Sequence, residues 1–285
     1  MPFTPSHAAV ALLARRSPLP VAAVAAGAVA PDLPYFAPVP FPRELSHSLL
    51  GAVTVDPLFA LSALALWWWM LRAPLVALAP SALRRRLPFP FESIGSSARR
   101  TRGGVPVFVA LTVLAAVLGV LTHLGWDWFT HAEGLAALWP AWGAPVGPLA
   151  VDKWAQHASS VLGLAVLAVV ALRALRRADI GAAGAPGASA VPGSPAVPRE
   201  RSTGIRVAAL TAPVIAAGVG GLLRWVLGMT AGIAPFSPAL VFSVARVTIG
   251  SGAAVLVLVV AVWWIAELRR RRSTAAATTS ATTPG

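Results

Sequence analysis

The sequence predicts an all-α polytopic membrane protein, with an N-terminal helical hairpin packed on about five transmembrane helices. Of its 285 residues, 57% are hydrophobic. Five apolar stretches, at 49–71, 105–131, 154–172, 207–228 and 239–266, reach or approach the roughly 20 residues that cross a bilayer as helix. The connecting segments alternate in basic charge. Segment 72–104 carries seven arginines, 173–206 carries six, and the tail carries Arg269 to Arg272, whereas 132–153 has only Lys153 and 229–238 has no basic residue. The positive-inside rule therefore places 72–104, 173–206 and the C-terminus in the cytoplasm. Segments 31–48, 132–153 and 229–238 then face outward.

The net charge of +13 follows from these loop arginines. No nucleic-acid motif accompanies it, so no nucleic-acid partner is expected. The lipid bilayer is the expected partner. The chain has no cysteine, which excludes disulfides, thiolate metal ligands and a cysteine nucleophile. A bound metal would have to be held by nitrogen and oxygen. There is no Gly-x-Ser-x-Gly, phosphate-binding loop or dinucleotide motif, so serine hydrolase and nucleotide chemistry have no support.

The N-terminal apolar run is broken by Arg15-Arg16-Ser17-Pro18-Leu19-Pro20. It reads as two short helices, at about 6–14 and 20–30, joined by a turn. A signal peptide is disfavoured because Pro31 would follow the cut and no basic residue precedes the run. Each helix is too short to span alone, and a hairpin returns the chain so that His7 and Asp32 end on one side. A single straight helix would hold them roughly 37 Å apart. Tryptophans 67–69, 263 and 264 fall at expected inner span ends, and Trp126, Trp128, Trp139, Trp142 and Trp154 near the outer interface, as an aromatic belt. The expected organisation is a membrane domain over 1–176, a flexible cytoplasmic linker over 177–206, a transmembrane helix pair over 207–272 and a disordered tail over 273–285.

Polar residues converge on the outward ends. His123, Asp127 and His131 are spaced four apart and would share one helix face. Polar groups of this kind in a membrane helix are costly unless something satisfies them. Three further segments reach the same side: Thr4-Pro5-Ser6-His7, read as an N-cap and first turn; Pro31-Asp32-Leu33-Pro34; and Arg43-Glu44-Leu45-Ser46-His47-Ser48 at the start of a span. Imidazole with carboxylate and no thiolate suits a divalent metal, zinc first, with manganese or iron as alternatives. A catalytic ion keeps one position open for water and lowers its pKa toward neutrality. Ser46 and Ser48 flank His47 as candidate outer hydrogen-bond partners. Arg43 and Glu44 read either as an anion site with a base or as a solvated pair. Asp56, before Pro57, reads as structural or as an outer partner. His157 reads as a substrate contact or a surface histidine.

Together, Ser-His-Ala-Ala near the start, Pro-Asp-Leu-Pro-Tyr-Phe, Arg-Glu-Leu-Ser-His-Ser and His-Leu-Gly-Trp-Asp-Trp-Phe-Thr-His resemble an uncharacterised family of bacterial integral-membrane proteins with a domain of unknown function. That family is similar to inner-membrane metal-dependent hydrolases. The resemblance covers residues 1–176. It implies His7, Asp32, His47, His123 and Asp127 as metal ligands, with His131 beside them, and a multi-pass location in a bacterial inner membrane. The function expected is a membrane-embedded metal-dependent hydrolase with His131 and Glu44 as catalytic groups. Its substrate would be a phosphoester or lipid-like amphiphile reached at the outer interface. The alternative is a non-catalytic membrane protein whose ligands hold a structural metal or pair with each other; metal transport is weaker, since only Asp56 lies deep in a span.

Overall fold

The computed structural model describes residues 3–36, 41–84, 86, 101–182 and 202–281. It is almost wholly helical. Five helices are long and apolar enough to cross a membrane: Val55–Leu78, Gly104–Thr130, Val151–Arg176, Thr203–Thr230 and Pro238–Ser273, hereafter the first to fifth spans. The protein is a multi-pass membrane protein. Its chain divides into two compact units, Met1–Trp67 with Arg85–Pro195, and Trp68–Arg84 with Ala196–Gly285. Residues 68–84 thus group with the C-terminal helix pair and not with the expected 1–176 domain.

In the first unit the hairpin forms as the sequence predicts. Thr4–His7 is α-helical and runs into a 3-10 segment, Ala8–Arg16, which stops at Ser17. The Ser-Pro-Leu-Pro turn leads into Val21–Val29, followed by the 3-10 turn Ala30–Asp32. The helix cap is Phe3, not Thr4, and no side chain caps it. The Thr4 hydroxyl is used elsewhere: it donates to Asp32 Oδ2 at 2.6 Å, closing the hairpin.

Small residues let the hairpin lie against the second span. A Cβ on Gly27 would collide with the Ala116 backbone, and one on Gly119 with Val24 O and Ala28 N. The two backbones therefore touch, as membrane helices do where glycine and alanine face each other. The core around this contact is also built of small side chains: Ala30, Ala52, Ala60, Ala116 and Val120 are all fully enclosed.

The first span departs from the expected 49–71. Leu49–Val53 is a separate turn, and the helix restarts at Val55 after Thr54 leaves helical geometry. Pro57 explains the break, since its ring would clash with the carbonyl four residues earlier in a continuous helix. Beyond a π turn at Trp67–Leu71, helix continues to Leu78. The second span ends at Thr130, and His131 is extended with φ −115° and ψ 149°. His131 therefore does not continue the helical face of His123 and Asp127. Between the second and third spans a small antiparallel ribbon pairs Pro145–Val146 with Leu149–Ala150. Gly147 supplies the positive φ of its turn, and Gly147-Pro148 is a turn signal in the sequence. The third span's helix runs on to Ala182. The centre of the expected linker, residues 183–201, lies outside the described residues.

In the second unit, the fourth and fifth spans pack through small residues. Gly221 faces Thr248, Gly228 faces Leu240, and the Ser251 hydroxyl reaches Ala216 O at 3.0 Å. Helix continues to Ala281, into the stretch expected as a disordered tail. Trp264 Nε1 donates to Met70 O at 2.9 Å, and Trp263 is buried with Ala77 and Leu78, so these aromatics pack inward as well as marking a span end.

The backbone contact at Gly119 predicts a sharp asymmetry between two glycines of one helix. Gly119→Ala should lower stability by about 1–3 kcal/mol through overpacking. Gly125→Ala, where a Cβ meets nothing within 4 Å, should be neutral or slightly stabilising. Thermal unfolding of the two detergent-solubilised variants checks this, and equal effects would contradict the close approach.

Candidate metal centre

Four segments of the first unit place imidazole and carboxylate donors around one buried point. His7 comes from the first helical turn and Asp32 from the hairpin exit. His47 follows the short helix Arg43–Ser46. His123 and Asp127 lie one turn apart on the second span. Their side chains are between 0 and 11% exposed. The sequence-predicted ligand set is thus brought together in full.

The separations are uniform. His47 Nε2 lies 3.5 Å from Asp32 Oδ1 and 3.7 Å from Asp127 Oδ2. His123 Nε2 lies 3.8 Å from Asp32 Oδ1 and 3.6 Å from Asp127 Oδ2. His7 Nε2 lies 3.9 Å from Asp127 Oδ1. Among the described residues, none of these six atoms has a hydrogen-bond partner. The distances exceed ordinary N–H···O bonding. They lie close to the spacing of about 3.3–3.6 Å between donors on one tetrahedral zinc, which follows from bonds of 2.0–2.2 Å. The donors fall into two compact triads, His7/His123/Asp127 and Asp32/His47/His123.

The opposite side of most donors is tied down. His123 Nδ1 is 2.8 Å from Ala28 O. A carbonyl only accepts, so Nδ1 carries the proton and Nε2 presents its lone pair inward. The Gly27–Ala116 and Gly119–Ala28 contacts set the helix approach that makes this bond. His47 Nδ1 is 3.1 Å from Ser46 Oγ, which in turn is 3.2 Å from Arg43 O; a proton on Nδ1 again leaves Nε2 free. Asp32 Oδ2 accepts from Thr4, leaving Oδ1 for the centre. Such outer partners fix tautomer and orientation in metal sites. Of the two serines flanking His47, only Ser46 does this. Ser48 caps the next helix by accepting from Gly51 N at 3.0 Å.

His131 reaches the centre differently from the helical-face expectation. Its Nδ1–H donates to Asp127 O at 2.7 Å, occupying a carbonyl at the helix end, and its Nε2 is buried without a partner. Glu44, expected as a base, is exposed and outside both triads. Its short helix turns Ser46 inward, and two residues away a helix points to the far side. Burial pushes the Tyr35 phenol up, and the nearby Arg43 charge pulls against it. His157 is exposed, while its neighbours Asp152 and Gln156 are buried. Asp56 is fully enclosed, with neither oxygen hydrogen-bonded, and lies outside the triads.

Three features stand outside the sequence-predicted set: Thr4 as a carboxylate partner, Ala28 O as the His123 acceptor and the buried Asp152. Asp152 Oδ2 is 3.4 Å from Lys153 Nζ. That ammonium also reaches Gln156 Oε1 at 3.1 Å and Thr130 O at 3.4 Å, joining the third span to the end of the second. An acidic residue in the first turn of a span was the available signal.

Burial, followed by the neighbouring His123 ring, pushes the His7 imidazole from 6.5 down to about 4, although Asp127 and Asp32 pull the other way. His131 is also lowered, chiefly by burial. Near neutral pH both rings are then uncharged, the form that ligates metals and accepts protons.

Residues 1–264 match the family described as Domain of unknown function (DUF4184). The chain belongs to this family. This agrees with the resemblance to a family of unknown function carried by the four polar motifs, and it extends beyond their reach. The DUF4184 match takes in the fourth span and most of the fifth, so the C-terminal helix pair is part of the family domain. No curated protein and no solved structure matches the chain.

The depressed His7 value sets the sign of a pH effect. Between pH 6.5 and about 4, the unfolded chain holds the His7 proton and the folded chain does not. Stability of the metal-free protein should therefore fall as pH drops through that window. Thermal midpoints measured across it should decline less steeply for His7→Gln than for wild type, and equal slopes would contradict the assignment.

Proposed function

We propose that this protein is a membrane-embedded, metal-dependent hydrolase acting on a phosphoester, with a lipid-like amphiphile as the substrate class. The observation that carries the reading is the convergence of six buried donor atoms, none hydrogen-bonded, at 3.5–3.9 Å from one another's partners. A helix-packing cluster would draw imidazole and carboxylate into hydrogen bonds, and here every one of these contacts stays longer. The donor set fits zinc, with manganese or iron as the other candidates. A divalent ion held there would polarise a phosphoryl oxygen and acidify water.

The chain's own groups supply the rest. Ala28 O, Ser46 and Thr4 hold the donors in place. His131 keeps its proton on Nδ1 through the Asp127 carbonyl, so Nε2 is the atom that takes a proton from attacking water. Glu44 is given no part in this. The basic loops support a bacterial inner-membrane protein with a cytoplasmic C-terminus and the centre near the outer face.

A cavity of about 410 Å³ supports an amphiphilic substrate over a structural metal. It is lined by Ser6, His7, Ala9, Val10, Thr122, Trp126, Ser159 and Gly163. Its hydroxyls are satisfied locally: Ser6 Oγ donates to Phe3 O, Thr122 Oγ1 to Gly119 O and Ser159 Oγ to Gln156 O. The surface left for a ligand is hydrocarbon, with His7 in its wall.

The test is hydrolysis by purified, metal-loaded protein of a soluble aryl phosphate and a long-chain phospholipid. Chelator-sensitive turnover is expected with both, and His123→Ala should lose more than about 100-fold, beyond the 10–100-fold of an outer partner. Ala9→Trp, which fills the cavity, should lower kcat/KM for the phospholipid and spare the aryl phosphate. Turnover that resists chelation, or none with either class of substrate, would sink the proposal.

A further inference from the structure

The centre has more donor atoms than one ion uses, and their grouping is informative. Two donors on one ion lie at most about 4.2 Å apart, twice a bond of roughly 2.1 Å. The five ligand residues form two compact triads and not one cluster of five. The triads share His123, but that ring has one nitrogen to give, because Nδ1 is bonded to Ala28 O. His123 cannot serve both positions.

Asp127 can. Both its oxygens are buried without hydrogen bonds among the described residues, and they face different partners. Oδ2 is 3.6 Å from His123 and 3.7 Å from His47. Oδ1 is 3.9 Å from His7 and 3.8 Å from His131 Nδ1. Once Asp32 Oδ1, His47 Nε2 and His123 Nε2 are assigned to one ion, His7 Nε2 and Asp127 Oδ1 remain, with Asp127 Oδ2 beside the first position. A buried carboxylate oxygen and a buried imidazole nitrogen left in this way are costly without a cation.

We propose that the centre takes two divalent cations bridged by Asp127, one on Asp32, His47 and His123 and the other on His7. This rests on the metal-centre reading above and narrows its chemistry. The second position is the one at the apolar cavity, since His7 belongs to both. Paired ions are a feature of phosphoester cleavage, where they clamp attacking and leaving oxygens, so the substrate class narrows to phosphoesters of apolar alcohols over carboxylic esters.

The test uses full-length protein, purified in detergent without chelator, stripped and reloaded with Mn²⁺ alone. Elemental analysis and electron paramagnetic resonance are read together. Wild type should hold two Mn²⁺ per chain, with the signal of an exchange-coupled pair. His7→Gln should fall to one Mn²⁺ per chain, with the resolved hyperfine pattern of an isolated ion. One Mn²⁺ per wild-type chain with an isolated-ion spectrum would overturn the paired site while leaving the metal centre intact. No stoichiometric Mn²⁺, Zn²⁺ or Fe²⁺ in wild type would remove the metal centre itself. The wild-type spectrum decides the question even if the variant fails to fold.

Discussion

Six donor atoms of His7, Asp32, His47, His123 and Asp127 are buried with no hydrogen-bond partner among the described residues, and the rest of the first unit is organised around that fact. An unsatisfied buried polar group costs about 1–3 kcal/mol. Six of them would cost roughly 6–18 kcal/mol, as much as the whole net stability of an ordinary domain, about 5–15 kcal/mol. A divalent cation held at the centre, as proposed, would remove that cost, because it takes lone pairs from several directions at once. The hairpin brings in His7 and Asp32, the turn at Ser46 orients His47, and the glycine contacts of the second span set the approach of His123.

The route from sequence to site runs through glycine and alanine more than through the ligands. Gly27 and Gly119 allow backbone contact between the hairpin and the second span. That contact brings Ala28 O within 2.8 Å of His123 Nδ1, which fixes the tautomer and leaves Nε2 facing its partners. Thr4 does the same for Asp32 and Ser46 for His47. In a bilayer, where apolar side chains gain nothing by leaving lipid for each other, close small-residue packing and satisfied polar groups are what hold helices together.

Much of this was legible in the sequence. The apolar runs marked the spans, and the Arg-Arg-Ser-Pro-Leu-Pro break marked the hairpin that joins His7 to Asp32. The spacing of His123 and Asp127 put them on one face. The remainder depended on where elements end. His131 fits the four-residue spacing but lies one residue past the helix, so its ring folds back on the Asp127 carbonyl. Glu44 stands three residues from His47, yet the short helix turns it outward. Thr4 looked like a cap because a Thr-Pro start reads that way locally, whereas its real partner is 28 residues on. Asp152 was hidden because a carboxylate at a helix start is ordinary, and only packing shows that it is enclosed.

The most direct test of the central claim is X-ray absorption at the metal edge of the purified protein. The account predicts a first shell of nitrogen and oxygen at about 2.0–2.2 Å, with the outer-shell scattering of two or more imidazoles that disappears in His123→Ala/Asp127→Ala. A shell of oxygen alone without imidazole scattering, or one unchanged in the double variant, would contradict it.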